Sequence, residues 1–125
     1  MKSNPNSEYV METATKIREI NAKELNEELK SSHRPVLINA LDEEAYIAKR
    51  IPGSINIPSD KANVINSVVP DKEQPIVAYC ANSDCTASPE LAGKLMDLGF
   101  TNVRDFDAGL EGWRKEGFEL IGAET

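Results

Sequence analysis

Residues 75–99, PIVAYCANSDCTASPELAGKLMDLG, decide how this chain reads. An apolar run ends at Cys80, small polar residues follow, and helical spacing resumes near Ser88. Four to six apolar residues bounded by a proline and a polar loop fit a buried strand. The second half carries the clearest helix pattern in the chain. Ser88 is placed to cap it, Pro89 to open it, Leu91, Leu95 and Leu98 to line one face, and Gly99 to end it. The stretch is therefore predicted to be strand, cysteine loop, helix.

The same alternation extends outward. Ile17 and Ile20 suit a short strand, and Asn21 with Glu24 forms a capping-box pattern ahead of a helix over about residues 22–30, with Ile20 stapled onto Leu25. The run RPVLINAL predicts a second buried strand, after which Asp42 caps a short helix EEAYIAK. RIPGSINIP reads as a turn on Pro52 and Gly53 leading to a brief extended piece, and SDKANVINSVV as a helix that stops before Pro70. FTNVRDF predicts a further strand, and GLEGWRKEGF a last helix in which Trp113 packs into the core. Strands alternating with helices at these lengths imply an α/β domain, a mostly parallel sheet with helices on both faces. Residues 1–16 are polar and carry no firm period, so a tail or extra helix is expected there, with the domain proper over residues 17–125.

Composition narrows the functional classes. Twenty-one acidic against 14 basic residues give a net charge of -7, which repels nucleic acid and anionic membrane. No apolar run approaches the roughly 18 residues of a membrane span, and the N-terminus lacks the apolar centre of a signal peptide, so a cytoplasmic location is expected. Two cysteines and one histidine are too few for a disulfide framework or a structural zinc site. No metal and no cofactor is predicted, and the oligomeric state is not readable.

The cysteine loop carries the chemistry. In parallel α/β sheets ligands bind beyond the carboxyl ends of the strands, where Cys80 lies. Backbone N–H groups of Ala81, Asn82, Ser83, Asp84, Cys85 and Thr86 can curl around its sulfur or an anion attached to it. A helix N-terminus behind the loop favours a thiolate, the nucleophilic form that serves sulfur, acyl or phosphoryl transfer. Against this stands the plain alternative that a cysteine ending a strand is a small buried apolar residue, and spacing alone weighs the two evenly. His33, in a solvated SSHRP connection, offers no base. Thr86 and Ser88 are expected to satisfy free N–H groups at the helix start, and Asp42, Glu43 and Glu44 to form a solvated first turn.

Taken together, VLINALDEEAYIAKRIPGSINIP and IVAYCANSDCTASPELAGKLMDLGFTNVRDFDAGLEGWRKEGFEL resemble the rhodanese domain, the sulfurtransferase fold, over about residues 17–120. That resemblance implies a single rhodanese-like domain in which Cys80 takes sulfane sulfur as a persulfide and passes it to a nucleophilic acceptor. The implied partner is a small sulfur donor or a persulfide-bearing protein. The chain departs from the family pattern at the Asp-x-Arg element, here Asn39-Ala40-Leu41, and at the Gly-His before Ile-Pro-Gly, here Lys49-Arg50. The loop pattern Cys-Arg-x-Gly-x-Arg is here Cys80-Ala81-Asn82-Ser83-Asp84-Cys85. With both loop arginines absent and Asp84 present, thiosulfate, a dianion, should bind poorly unless Arg50 supplies an anion contact. The related phosphatase loop places an arginine six residues after its cysteine, where this chain has Thr86, so the bidentate phosphate clamp is missing. Cys85 takes the place of the second loop arginine. It is either a resolving thiol for a persulfide or sulfenate on Cys80, or a small packed side chain. Two further readings remain open at this point: a non-catalytic binding or regulatory module, and a dithiol redox protein using Cys80 and Cys85.

Overall fold

The computed structural model describes residues 17–124. The tail or extra helix expected over residues 1–16 lies outside them. Five strands, β1 (Arg18–Glu19), β2 (Val36–Asn39), β3 (Ile55–Asn56), β4 (Ile76–Tyr79) and β5 (Val103–Phe106), form one sheet in the order β1-β5-β4-β2-β3. All four pairings are parallel. The α/β fold read from the alternation of strands and helices is the fold observed.

Because side chains alternate along a strand, each strand feeds two cores. On one face Ile38, Ile76, Ala78 and Val103 pack under α4 (Ala87–Asp97), together with Ala62 of a 3₁₀ helix (Ser59–Val64) and Ile65 of α3 (Ile65–Val68). On the other, Leu37, Val77, Tyr79 and Phe106 pack against Leu25 of α1 (Ala22–Leu29) and Trp113 of α5 (Gly109–Lys115). Trp113 is core, as expected, and its indole N–H donates to the Glu119 carbonyl at 3.0 Å. Arg104, on the second face of β5, forms a two-pronged ion pair with Glu28 of α1 at 2.6 and 2.8 Å. That pair holds the Glu28 carboxyl below the ordinary carboxylate range.

Local signals account for most elements. Asn21 and Glu24 close the predicted capping box on α1. Asp42 caps α2 (Glu43–Ala48) by accepting from the Ala45 N–H at 2.9 Å, and Glu43 and Glu44 stand exposed in its first turn. His33 is an exposed loop residue, as its sequence context implied. The segment predicted as one helix before Pro70 is instead the 3₁₀ helix, interrupted at Lys61, running into the single turn of α3.

A larger correction concerns α4. It begins at Ala87 with Thr86 at the N-cap position, and Thr86 makes no side-chain capping bond. Ser88 is not the cap; it is a buried residue of the first turn. Pro89 still fits, because a first-turn N–H has no helical partner to lose. The physical reason for the shift lies in what replaces the cap, which belongs to the cysteine loop.

Candidate functional site

The loop joining β4 to α4 is fixed from below by α5. The Leu110 and Glu111 N–H groups, free because they open a helix, donate to the carbonyls of Cys80 and Ala81 at 2.9 and 3.0 Å. Such an approach leaves no room for a side chain on the residue before them. Gly109 has φ +63°, and a Cβ there would stand 2.3 Å from the Cys80 carbonyl oxygen. Across the loop, the Asn82 side chain accepts the Asp84 N–H at 2.9 Å and the Asn82 carbonyl accepts the Cys85 N–H at 3.1 Å. This is the local turn that small polar residues are suited to make. Ser83, Asp84 and Thr86 are exposed on its outer side, and Ala81, Asn82 and Cys85 are half-buried.

Both sulfurs point inward to the helix start. Cys80 is 1% exposed, and its thiol donates to the Ser88 hydroxyl at 3.4 Å while its sulfur accepts the Ser88 N–H. Cys85 accepts from the N–H groups of Ala87 and Ala81, and the Cys80 thiol is within hydrogen-bonding reach of it. The first free N–H groups of α4 are thus satisfied by two cysteine sulfurs. This is why neither Thr86 nor Ser88 is needed as a cap, and it places the positive end of a helix at the thiols.

The two thiols are driven apart in acidity. Burial pushes Cys80 up, and proximity to Cys85 adds to the effect, while its contacts with the Ser88 hydroxyl and N–H oppose it. Burial acts on Cys85 too, but the neighbouring Cys80 thiol and the N–H groups of Ala87 and Ala81 outweigh it and hold Cys85 below the usual thiol value. Deprotonation of the pair therefore starts at Cys85, and Cys80 keeps its proton longest.

Beneath the thiols lies a carboxylate that sequence reading passed over. Asp105 occupies the α4 face of β5, in register with Ala78 of β4, two residues before Cys80. It is 3% exposed, the Ser88 side chain is within its reach, and its Oδ1 has no partner. Burial pushes its pKa up to about 6; the Ser88 side chain opposes this, and the like charges of Asp107 and Glu19 add to it. Carboxylate oxygens of Glu19, Asp105 and Asp107 lie within 4.8 Å of one another. The available signal was a charged residue at an inward position of the apolar run VRDF.

Arg50 makes its described contacts with α2 and the C-terminal segment. Its guanidinium sits over the Tyr46 ring, 5.0 Å from the centroid, with 3.5 Å contacts to the carbonyls of Tyr46 and Ile47. Its backbone bridges to Ile121. These contacts fasten the end of α2 to the C-terminal segment, and no described contact joins Arg50 to the cysteine loop. Residues 80–86 contain no lysine or arginine, so backbone N–H groups and the helix end supply the positive potential around the sulfurs.

Known proteins share this arrangement at the level of the domain. The family model for the rhodanese-like domain matches residues 21–116. Over 85 residues the chain is 34% identical to an HTH-type transcriptional regulator, Rv0324, of Mycobacterium tuberculosis, covering 67% of this chain and 36% of that one. It thus spans about a third of that regulator's length. It is 32% identical over 80 residues to the thiosulfate sulfurtransferase GlpE of Pseudomonas syringae, covering 63% of this chain and 72% of GlpE. Among solved structures, the BH2092 protein of Bacillus halodurans superposes with a TM-score of 0.78 at 31% identity, over 97% of this chain and 88% of that one. With the parallel sheet, the loop at the carboxyl end of β4 and a family match running from α1 to the end of α5, the chain belongs to the rhodanese-like domain family.

Proposed function

We propose that the protein is a sulfurtransferase-type persulfide carrier in which Cys80 accepts sulfane sulfur and passes it to a thiol or other nucleophile. The observation that carries this reading is the placement of Cys80. It closes a central parallel strand, rests on the α5 N–H groups through its carbonyl, and presents its sulfur to the first turn of α4. Likeness to GlpE supports sulfur as the transferred group. A sulfur added to Cys80 would meet the same N–H groups that now bind the thiols, which favours the anionic persulfide.

The donor follows from charge. With no cation in the loop and Asp84 exposed at its rim, a dianion finds little attraction, whereas the reacting sulfurs of a persulfide carry at most one charge between them. Sulfur transfer to an added thiol acceptor should therefore run at least about tenfold faster from glutathione persulfide than from thiosulfate, and Cys80→Ser should remove both activities. Equal rates from the two donors would refute the assignment of the donor, and activity persisting in Cys80→Ser would refute the assignment of the residue.

One observation favours a second reading. The closeness of the two thiols supports Cys85 as a resolving thiol for a sulfur-bearing Cys80, through a reversible Cys80–Cys85 disulfide. Loss of two hydrogens from the intact mass under mild oxidation, abolished in either single serine variant, identifies it.

A further inference from the structure

The proposed function leaves one step without an agent. Cys80 is the buried thiol of the pair, it holds its proton, and the loop has no histidine, lysine or arginine to take that proton or stabilise its loss. Cys85 alone does not settle the matter, since it forms the thiolate first and a second negative charge beside it opposes ionisation of Cys80.

The structure holds a continuous path out of the thiol. The Cys80 S–H donates to the Ser88 oxygen at 3.4 Å, and the Asp105 carboxylate lies behind Ser88, within reach of its hydroxyl. A serine that accepts from a thiol has its single hydroxyl proton left for the acid behind it, so the donors and acceptors line up in one direction. Asp105 shares its face of the sheet with Ile76, Ala78 and Val103, all apolar, and one of its oxygens has no partner. A buried acid left partly unsatisfied behind a nucleophile is costly as structure and useful as chemistry.

We propose that Asp105, acting through Ser88, is the proton acceptor that allows Cys80 to react. The inference rests on the proposed function in taking Cys80 as the reacting sulfur. As the Cys80 sulfur attacks the outer sulfur of a persulfide R–S–SH, its proton passes to the Ser88 oxygen and the Ser88 hydroxyl proton passes to Asp105. The new sulfur–sulfur bond to Cys80 forms as the donor bond breaks, and R–S⁻ departs. Cys80 then carries S–SH, Asp105 is neutral, charge is conserved, and no external oxidant or reductant is required. Asp105 plays a positioning part in this scheme, because only Ser88 touches the reacting sulfur.

The groups facing Asp105 are Ser88 of α4, Cys85 of the loop, Glu19 of β1 and Asp107 just beyond β5. The negative charges of Glu19 and Asp107 and the burial of the site keep Asp105 a stronger base than a solvated aspartate.

The test uses the full chain carrying Cys85→Ser, so that one thiol is read. Its modification is followed by intact mass against pH with two probes, iodoacetamide and glutathione persulfide. With iodoacetamide the rate should rise through a limb centred near the Asp105 value of about 6. Adding Asp105→Asn should erase that limb and lower the rate at neutral pH at least about tenfold, since a positioned general base contributes 10²-fold or more. Ser88→Ala, which changes no charge, should do the same. A limb retained by both variants, or retained by Ser88→Ala alone, overturns the relay. A purely structural Asp105 would shift the melting temperature and leave the limb in place. If glutathione persulfide transfers no sulfur while iodoacetamide still shows the Asp105-dependent limb, the sulfur-transfer reading fails and the relay stands.

Discussion

Single hydroxyls and single hydrogens set the geometry of this domain, and Tyr79 is the clearest case. Its hydroxyl accepts the Ile51 N–H at 2.9 Å and the Asn39 amide at 3.1 Å, and shares a bond with the Ser54 hydroxyl at 2.9 Å. All four residues are buried. Tyr79→Phe keeps the ring but strands the Ile51 N–H, and should cost about 1–3 kcal/mol of stability, read from the urea midpoint. Gly109 acts by what it lacks: with φ +63° and the Cys80 carbonyl where a Cβ would go, Gly109→Ala must strain the backbone or move the loop. We expect a loss of about 2–3 kcal/mol together with slower Cys80 modification, and unchanged chemistry at Cys80 would contradict the claim that α5 holds the loop. At this scale Cys80 and Trp113 were legible, because a strand end and an aromatic at helical spacing announce themselves. Asp105 was not, since one acid in a short strand reads as a surface residue until the packing of α4 is known. Arg50 was drawn toward the loop by its place in the family pattern, and its contacts lie instead with Tyr46 and Ile121.

Among elements, the contrast between α1 and α4 carries the lesson. The N-terminus of α1 is written in its own side chains, and Asn21 and Glu24 close the box as their spacing implies. Asn21→Ala should cost about 1 kcal/mol. For α4, Ser88 and Pro89 have the composition of a cap and opening residue, yet the helix starts earlier because its first N–H groups meet the sulfurs of Cys80, eight residues before Ser88, and of Cys85, two residues before Ala87. Thr86→Ala should therefore change stability by less than about 0.5 kcal/mol, despite its N-cap position. A long-range contact overrides a local signal here, and such contacts are what a linear pattern does not contain. The same holds between residues 59 and 68, where short polar and apolar residues sustain one turn at a time rather than one helix.

For the whole molecule, Glu28 and Asp105 pull stability in opposite directions with pH. Glu28, held low by the hydrogen bond to Arg104, contributes stability that is present above the ordinary carboxylate range and lost as pH falls through its folded value. Asp105 has the opposite sign. Held at about 6 in the folded chain against 3.8 in the reference state, it binds its proton more tightly folded than unfolded, so its contribution declines as pH rises from 3.8 to about 6 and stays low above. Ionising it costs at most about 3 kcal/mol by linkage. The stability of Asp105→Asn relative to the native chain should therefore increase across that interval and level off above it, as read from urea midpoints at a series of pH values. A constant difference would mean that Asp105 is ionised at no cost. The order of strands and helices was readable from the alternation along the chain, and the family from the segments that resemble it. The proton path was not, because it joins β5, α4 and the loop only after folding.

The most direct test of the account is peptide mapping of the native chain after a single turnover with glutathione persulfide, locating the added sulfur by mass. The account predicts one extra sulfur on the peptide bond-linked fragment bearing Cys80, followed by its disappearance when a thiol acceptor is supplied. Sulfur found on Cys85 with Cys80 unmodified, or no added sulfur on either cysteine, would contradict it.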